Sequence, residues 1–294
     1  SVELTPYDIS YAEKGKNFKW KLLAQMPKMF KAVYGERKIV NQIIETHSID
    51  GIISDNRLGV YSRKIPSIFM THQLNVLSGK TSWLTTKVHS KFISKFDQCW
   101  VPDNDSMSNL TGKLGHLKNP LKNLVYIGPL SRFEKKRRKK VFDLMVILSG
   151  PEPQRTFLEQ KIIEELKFYD GNVVFIKGVV EQNQISSTQG SITFYNFMNS
   201  EQLENTFNQS EKVLCRSGYT TVMDLAKLGK KAFFIPTPGQ YEQEYLAEKY
   251  RIDGIAPSCK QEEFSIDKLM TIENYKGLQN FATEINWEFL FRLF

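Results

Sequence analysis

The residues whose types and spacing best suit chemistry lie in one segment, which reads VLCRSGYTTVMDLAKLGKKAFFIPTPGQYEQEYLAEKY (213–250). Its first apolar run ends at Cys215, the turn RSG (216–218) follows, and a helical pattern begins near Thr221. Such a turn presents backbone N–H groups and the positive end of a helix to an anion. The alternative is an ordinary strand-to-helix turn in which Thr221 and Asp224 form a capping box. Spacing alone does not decide between these two interpretations.

A second polar turn follows the next apolar run of this segment. The run ends in PTPG (236–239), and the helical pattern after it opens with Gln240. Amide and carboxylate groups on the first turn of a helix can hydrogen-bond sugar hydroxyls. Acidic residues there also complement the helix dipole, which is the purely structural explanation for Glu242 and Glu244. The segment therefore has one turn suited to an anion and one suited to hydroxyl groups.

A parallel sheet is needed to position these turns, and the apolar pattern predicts one. Short β-branched and aromatic runs alternate with helix-length segments, which is typical of βαβ units. In open parallel sheets, ligands bind beyond the carboxyl ends of the strands. The fold class predicted from this pattern is α/β. The predicted strands are 50–54, 65–70, 98–102 and 123–128 in the first part of the chain, and 142–149, 171–178, 191–197, 212–215 and 231–236 in the second.

The two α/β parts are joined by IGPLSRFEKKRRKK (127–140), whose Gly, Pro and basic run are typical of an exposed linker. We therefore predict a first domain over 1–133, a second over 134–273, and a C-terminal helical segment over 274–294.

The composition excludes several classes of protein. The chain has 294 residues, of which 41% are hydrophobic, so it can bury a core and is neither disordered nor a disulfide scaffold. Three scattered cysteines without a CxxC pair indicate a reducing compartment and no structural zinc site. No apolar run reaches the roughly 18 residues of a membrane-spanning helix, and no signal-peptide pattern is present. These features predict a soluble, cytoplasmic protein.

The formal net charge of +8 is concentrated in the first part of the chain. Residues 1–133 contain 19 basic and 10 acidic residues, whereas 134–294 contain 21 and 22. A uniformly basic nucleic-acid binder would not segregate its charge in this way, and the basic stretches match no groove-reading motif. We therefore expect no nucleic-acid partner, and tight, salt-dependent duplex binding would contradict this expectation.

The segment CRSGYTTVMDLAKLGKKAFFIPTPGQYEQ (215–243) resembles the donor-binding C-terminal domain of family 28 glycosyltransferases, which include the MurG-type N-acetylglucosaminyl transferases. The resemblance extends over about 141–250. It implies a GT-B fold, in which two Rossmann-like domains with parallel sheets face a cleft. It also implies an inverting transfer of a hexosyl or N-acetylhexosaminyl group from a nucleotide sugar, expected to be a UDP-sugar, to a glycan or lipid-linked acceptor of the cell envelope. No metal or other cofactor is expected.

The resemblance also implies roles for residues of the second domain. The acidic residue of the helix after CRSG, here Asp224, would hold the nucleotide ribose. Gln243 and Glu244 stand where MurG-type enzymes have two glutamines that hold the donor sugar. The full set implied for the nucleotide sugar is Gly150, Arg155, Phe197, Met198, Arg216, Ser217, Gly218, Thr221, Asp224, Gly239, Gln240, Glu242, Gln243 and Glu244.

Two further segments of this domain correspond to known parts of the family. SGPEPQR (149–155) takes the place of a phosphate loop, which makes Arg155 the candidate pyrophosphate clamp. Main-chain groups near Phe197 and Met198 would read uracil. The structural alternative for Phe197 is an aromatic residue that anchors the core.

The first domain matches the family less well. Asp55 and His72 follow two predicted strands, and either side chain can take the proton of an acceptor hydroxyl. Their structural alternatives are a turn or cap residue for Asp55 and a hydrogen-bonded loop histidine for His72. The family's acceptor domain begins with a strand and a Gly-rich loop ending in His, and no such loop is found, so we expect this first strand, loop and helix to be missing.

Basic and aromatic residues are interleaved in two stretches, 14–38 and 79–96. They are interpreted either as contacts with an anionic membrane or as the buried faces of surface helices. The first interpretation would make the protein peripheral on the inner face of the plasma membrane. In transferases of this type the last helix often crosses back to the first domain. INWEFLFRLF (285–294) is expected to do so, with a membrane contact as the alternative. The packing residues would be Trp287, Phe289, Leu290 and Leu293.

Two functions other than glycosyl transfer fit the same residues. The same architecture serves nucleotide-sugar 2-epimerases, which need no acceptor, and a non-catalytic nucleotide-sugar-binding protein would bind the nucleotide without turnover. The sequence DND (103–105) superficially resembles a metal-binding pair, but its place after a predicted strand indicates a turn and a helix cap.

Overall fold

The computed structural model describes residue 4, residues 18–76 and residues 82–294. Its helices are α1 (Phe18–Thr46), α2 (Ser82–Ile93), α3 (Gln154–Leu166), α4 (Ser200–Gln209), α5 (Tyr219–Leu228), α6 (Tyr241–Ile252) and α7 (Trp287–Phe291). Its strands are β1 (Ile52–Asp55), β2 (Ser67–Met70), β3 (Gln98–Val101), β4 (Leu124–Tyr126), β5 (Phe142–Ile147), β6 (Val173–Ile176), β7 (Ser186–Gln189), β8 (Ile192–Tyr195), β9 (Ser210–Cys215) and β10 (Lys231–Phe234). Short 3₁₀ helices cover Gly112–Leu114, Gln261–Glu263 and Ile266–Asn274.

The chain forms two compact units. Unit 1 consists of 1–105, 111–128 and 284–294, and unit 2 consists of 106–110 and 129–283. The division after residue 128 precedes the predicted boundary at Phe133, because the residues between them pack within unit 2. Ser131 Oγ donates a hydrogen bond to Asp224 Oδ1 (2.6 Å), and the Phe133 ring lies 5.7 Å from that of Phe207.

Unit 1 is built on a four-stranded parallel sheet in the order β1-β2-β3-β4. Phe69 and Cys99 in the two central strands are fully buried, and Ile93 of α2 is buried in the same apolar cluster. The strands end in register, with Asp55 opposite Met70 on the neighbouring strand. The loops that follow the four strands therefore leave the sheet at one edge.

The C-terminal segment 284–294 belongs to unit 1. Leu290 is buried, and the Phe291 ring packs edge-on against the buried Trp100 at 5.9 Å. Trp287 and Phe289 remain 49% and 58% exposed, although the sequence predicts that they pack as well. A five-residue helix turns only one face toward the unit, and that face contains Leu290.

Unit 2 has a six-stranded sheet in the order β10-β9-β5-β6-β8-β7, parallel except for β7, which runs antiparallel to β8. The central strand β5 is buried on both faces, since Leu144, Met145 and Val146 are all inaccessible to solvent. All nine strands predicted from apolar runs are present. The one described strand that was not predicted is β7, whose sequence SSTQ has every residue exposed and therefore no apolar pattern.

Arg216 holds the loops at the carboxyl edge of this sheet. It follows β9 and is only 1% exposed. Its Nη1 donates to the carbonyls of Ile235 (3.1 Å) and Pro236 (3.0 Å) after β10, and its Nη2 donates to the Gln154 carbonyl (3.0 Å) at the start of α3 and to Gln261 Oε1 (2.7 Å). Burial lowers the pKa of this guanidinium to about 10, so it is charged at neutral pH. One side chain thus ties together three separate stretches of the chain.

Replacing Arg216 with Met should destabilise unit 2 by roughly 3 kcal/mol or more, because three carbonyls and an amide oxygen lose their buried donors. Urea denaturation of the purified protein measures the loss. Arg251→Met is the matched control, because the Arg251 guanidinium is exposed and pairs, among the described residues, with Glu248 alone. It should change stability by no more than about 0.5 kcal/mol. Equal losses in both variants would show that the Arg216 hydrogen bonds do not hold these loops.

Candidate functional site

The turn between β9 and α5 leaves a helix N-terminus without a side-chain cap. Gly218 is the N-cap residue, and it has no side chain that could cap the helix. A Cβ atom placed on Gly218 would meet nothing within 4 Å, so the space in front of the helix is open. The alternative interpretation, a capping box of Thr221 and Asp224, is wrong, because the helix already begins at Tyr219 and Thr221 lies inside it. The turn has the donors and the helix dipole that an anion requires.

The turn between β10 and α6 is held by hydrogen bonds among its own polar groups. Gln243 Oε1 accepts a hydrogen bond from Thr237 N–H (2.8 Å), and its Nε2 donates to Gln240 Oε1 (2.6 Å). Ser217 Oγ donates to the Gln243 carbonyl (2.7 Å), which joins this turn to the one after β9. The predicted sugar-binding residues Gln240 and Gln243 are therefore close together and connected to the predicted anion site.

Glu244 also supports this turn. Its Oε1 accepts a hydrogen bond from Gly239 N–H (2.8 Å), and Gly239 has φ +82°, a conformation that favours glycine. Glu242 is half-buried on the same first turn of α6. The carboxylate of Glu244 is exposed and lies at the entrance of the turn, so it can exchange this hydrogen bond for one from a ligand hydroxyl.

Asp224 lies on α5 and is half-buried. Its Oδ1 accepts the hydrogen bond from Ser131 Oγ (2.6 Å). Burial raises the pKa of the Asp224 carboxyl, and the Ser131 hydrogen bond and the charge of Arg132 partly offset this rise. No hydrogen bond to the second carboxylate oxygen is formed by the residues that the structure describes, so this oxygen can accept one from a hydroxyl.

The structure places Arg155 in a different setting from the one predicted. Its guanidinium donates to Glu152 Oε1 and Glu159 Oε2 (2.6 Å each) and to the Lys177 carbonyl (3.1 Å). These hydrogen bonds to two carboxylates occupy the donors that would grip a pyrophosphate. The role of Arg155 as a clamp stays a prediction. A pyrophosphate could bind this guanidinium only by displacing Glu152 or Glu159.

Two buried polar atoms at this edge have no partner among the residues that the structure describes, Arg216 Nε and Thr237 Oγ1. The Thr237 hydroxyl lies against Gly150, which has φ +108° and whose added Cβ atom would come within 3.4 Å of Oγ1. Gly150 therefore lets the loop after β5 approach the turn after β10 closely. Unpaired buried groups of this kind are usually satisfied by water or ligand.

The predicted base-reading segment follows β8. The Phe197 main chain is already engaged, since its N–H donates to Asn196 Oδ1 (3.0 Å) and its carbonyl accepts from Gln184 Nε2 (2.7 Å). Met198 accepts a hydrogen bond at its sulfur from Thr206 Oγ1 (3.4 Å). No main-chain hydrogen bond of Met198 is found in the described part of the chain, in contrast to Phe197.

In unit 1, Asp55 and His72 follow adjacent strands at the same sheet edge. Asp55 is exposed at the end of β1, and His72 is half-buried in the loop after β2. The Asn56 side chain accepts a hydrogen bond from Thr71 Oγ1 (3.3 Å), which joins the two loops. The structure thus places both predicted proton acceptors on one edge.

Asp103 bonds to N–H groups of the loop after β3, as the predicted turn requires. The predicted helix cap is not found, because the 3₁₀ helix that follows has Thr111 as its N-cap residue without a side-chain cap. Asp103 Oδ1 accepts from Asn104 N–H and Asp103 Oδ2 from Thr111 N–H, both at 2.8 Å. The structure also places His116 beside it, with Nε2 at 3.3 Å from Asp103 Oδ2. Sequence reasoning missed His116, because thirteen positions separate it from Asp103 and no local motif links them. The sequence indicates only that His116 lies in the connection between the third and fourth predicted strands.

Across the described parts of the chain, no group of three His, Cys, Asp or Glu side chains is arranged to hold a metal ion. Among the helices that the structure describes, none is both long and apolar enough to cross a membrane.

Comparisons with known proteins relate unit 2 to a known family. Residues 154–275 match the glycosyltransferase family 28 C-terminal domain. A UDP-N-acetylglucosamine--N-acetylmuramyl-(pentapeptide) pyrophosphoryl-undecaprenol N-acetylglucosamine transferase of Haemophilus ducreyi is 22% identical over 73% of this chain. The chain spans 59% of the length of that relative.

Solved structures share the fold. MurG of Acinetobacter baumannii superposes with a TM-score of 0.54 at 15% identity, over 90% of this chain and 77% of its own. The UDP-GlcNAc 2-epimerase of Neisseria meningitidis superposes with a TM-score of 0.56 at 11% identity, over 86% and 78%. Both likenesses concern the two-unit α/β architecture, which is that of the GT-B enzymes. The match to the family 28 C-terminal domain lies within unit 2, and the solved structures show the GT-B fold.

Proposed function

We propose that this chain transfers a hexosyl or N-acetylhexosaminyl group from a UDP-sugar to a lipid-linked or glycan acceptor, with inversion at the anomeric carbon. The observation that carries the proposal is the carboxyl edge of the unit 2 sheet. There an uncapped helix N-terminus, a half-buried carboxylate and an amide-rich turn lie within the family 28 match. A nucleoside diphosphate sugar needs one group of each kind. The name of the Haemophilus ducreyi relative supports the donor and acceptor classes.

In this proposal each part of the edge has one task. The N-terminus of α5 receives the pyrophosphate, and its dipole stabilises the charge that develops on the leaving group. Asp224 accepts hydrogen bonds from the ribose hydroxyls, and the main chain near Met198 reads the base. Gln240, Gln243 and Glu244 receive the sugar hydroxyls. No metal is required, because the helix N-terminus supplies the positive potential.

The acceptor hydroxyl must lose a proton, and a base on the carboxyl edge of unit 1 takes it. Asp55 and His72 are the candidates that the sequence supplies. The epimerase alternative rests on the shared fold with the Neisseria enzyme. An epimerase would convert its nucleotide sugar with no acceptor present, so a single control reaction separates the two.

Calorimetric titration with UDP in the presence of EDTA should detect binding, because the site uses main-chain donors and side chains rather than a metal. The same protein, given UDP-N-acetylglucosamine and a pyrophosphoryl-polyprenol-linked sugar, should release UDP. Release of UDP only after a divalent ion is added would contradict the metal-free proposal. Loss of the donor sugar's configuration at C2 without acceptor would identify an epimerase instead.

Asp224→Asn should weaken UDP binding by roughly tenfold to a hundredfold, because a charge-assisted hydrogen bond to the ribose is worth about 1.5–3 kcal/mol. Binding of inorganic pyrophosphate, which has no ribose, should not change. Asp253→Asn provides the control, because Asp253 pairs with Lys249 after α6 and has no place at the site. Equal affinity of wild type and Asp224→Asn for UDP would leave Asp224 with the single role of holding Ser131.

We also propose that unit 1 contacts an anionic membrane through the C-terminal half of α1 and through α2. The Phe30 ring lies 5.8 Å from the Phe92 ring, which joins the two helices. Tyr34 and Trp83 are 75% and 70% exposed, and Lys87 is exposed one turn after Trp83. Aromatic and basic side chains together favour an anionic lipid surface. Part of both predicted stretches, namely 14–17, the side chains of 18–29, and 79–81, lies outside the described residues.

Trp83→Ser should reduce cosedimentation with vesicles of phosphatidylcholine and phosphatidylglycerol by about tenfold, because an inserted aromatic side chain contributes roughly 1.5–3 kcal/mol. Phe168→Ser is the matched control, since Phe168 is 79% exposed in unit 2, outside this surface. If both variants sediment alike, α2 is not the contact.

A further inference from the structure

A buried carboxylate orients a histidine at the carboxyl edge of the unit 1 sheet. Asp103 has no exposed surface, and its Oδ2 lies 3.3 Å from His116 Nε2. The same oxygen accepts hydrogen bonds from the N–H and the hydroxyl of Thr111. Hydrogen bonds of this kind stabilise the charged form of a carboxylate. An ionised carboxylate only accepts hydrogen bonds, so the hydrogen of the neutral imidazole is assigned to Nε2 and the lone pair to Nδ1.

The imidazole ring is fixed on its other sides as well. It stacks on the Tyr126 ring at 4.7 Å with an angle of 12°, and the Tyr126 hydroxyl donates to the Gly115 carbonyl (2.9 Å). The loop that carries it is joined to the loop after β2, since Leu74 N–H donates to the Leu114 carbonyl (2.8 Å). His116 is therefore held beside the loop that carries His72.

One nitrogen of this ring remains available for chemistry. The His116 side chain is 24% exposed, and no residue in the described part of the chain forms a hydrogen bond with its Nδ1. A histidine with one nitrogen oriented by a carboxylate and the other directed to a ligand is the arrangement of a general base. A histidine that served packing alone would not need an oriented carboxylate and an available nitrogen.

We propose that His116 is the general base for the acceptor hydroxyl and that Asp103 is its positioning residue. The inference rests on the glycosyl transfer proposed above. The acceptor O–H bond breaks, and its proton moves to His116 Nδ1. The acceptor oxygen forms a bond to the anomeric carbon while the bond from that carbon to the phosphate oxygen breaks, and UDP leaves with the electron pair. The Asp103 carboxylate stabilises the imidazolium that forms.

The test compares wild type, His116→Ala and His116→Gln in UDP release from UDP-N-acetylglucosamine with the polyprenol-linked acceptor. Loss of a general base should lower kcat by about 10²–10⁴-fold. The Kd for UDP, measured by calorimetry, should stay within about twofold, because this base takes no part in donor binding. Added imidazole should restore part of the activity of His116→Ala, a recovery that a structural role would not produce. His47→Gln is the matched control, because His47 is exposed and, among the described residues, its side chain bonds to Thr46 alone.

Several results would overturn the inference. Activity near that of wild type in His116→Ala would remove the role. Full activity in His116→Gln, with His116→Ala inactive and not rescued, would make His116 a packing residue. Loss of UDP binding in a folded variant would assign it to the donor site, and a large loss of kcat in His72→Gln alone would favour His72. Wild-type protein that binds UDP but releases none from the donor would refute the proposed transfer itself, and the inference would fail with it.

Discussion

The buried guanidinium of Arg216 is the interaction on which the candidate donor site depends. Arginine suits this position because its planar group carries five N–H donors, whereas lysine offers a single point of charge. Four of its hydrogen bonds reach carbonyl and amide oxygens of three chain segments, and no carboxylate of the described residues pairs with it. Its charge is therefore balanced by backbone dipoles. These bonds fix the loops after β5, β9 and β10 relative to one another before any ligand arrives.

The polar residues around Arg216 are already held in place by hydrogen bonds, so binding a ligand would require little rearrangement of them. Gln243 and Ser217 bond to main-chain groups of the neighbouring turns, and Glu244 holds Gly239. Donors and acceptors that are already oriented stabilise developing charge better than mobile ones. The N-terminus of α5 lacks a side-chain cap, as do those of α3 and α6, and a Cβ atom placed on its N-cap residue Gly218 would meet nothing within 4 Å. In the proposed function, an anionic group at the N-terminus of α5 would displace no protein side chain, whereas at Arg155 it would compete with two carboxylates.

The sequence predicts the elements of this fold better than the partners of its charges. Apolar runs locate every buried strand, because burial on both faces leaves a continuous signal, and they miss β7 because SSTQ buries nothing. The CRSG turn and the family resemblance locate the site. They do not predict which oxygens Arg155 and Arg216 bind. Gln261, a partner of Arg216, lies far from the motif, and Glu159, a partner of Arg155, resembles any other helix residue. The pairing of Asp103 with His116 is not predicted either, because it depends on how the loop between them folds.

The two units use a common device at their sheet edges. In each, a charged side chain directly after a central strand is buried and bonded to loop groups, Asp103 in unit 1 and Arg216 in unit 2. Burying a charge is unfavourable unless hydrogen bonds compensate it, so the loop must adopt the conformation that supplies them. The buried charge therefore selects one loop conformation, and the exposed residues on that loop are free to vary. In the proposed transfer, specificity for the sugar could then change through residues such as Gln240 and Glu244 while the two buried charges keep the framework constant.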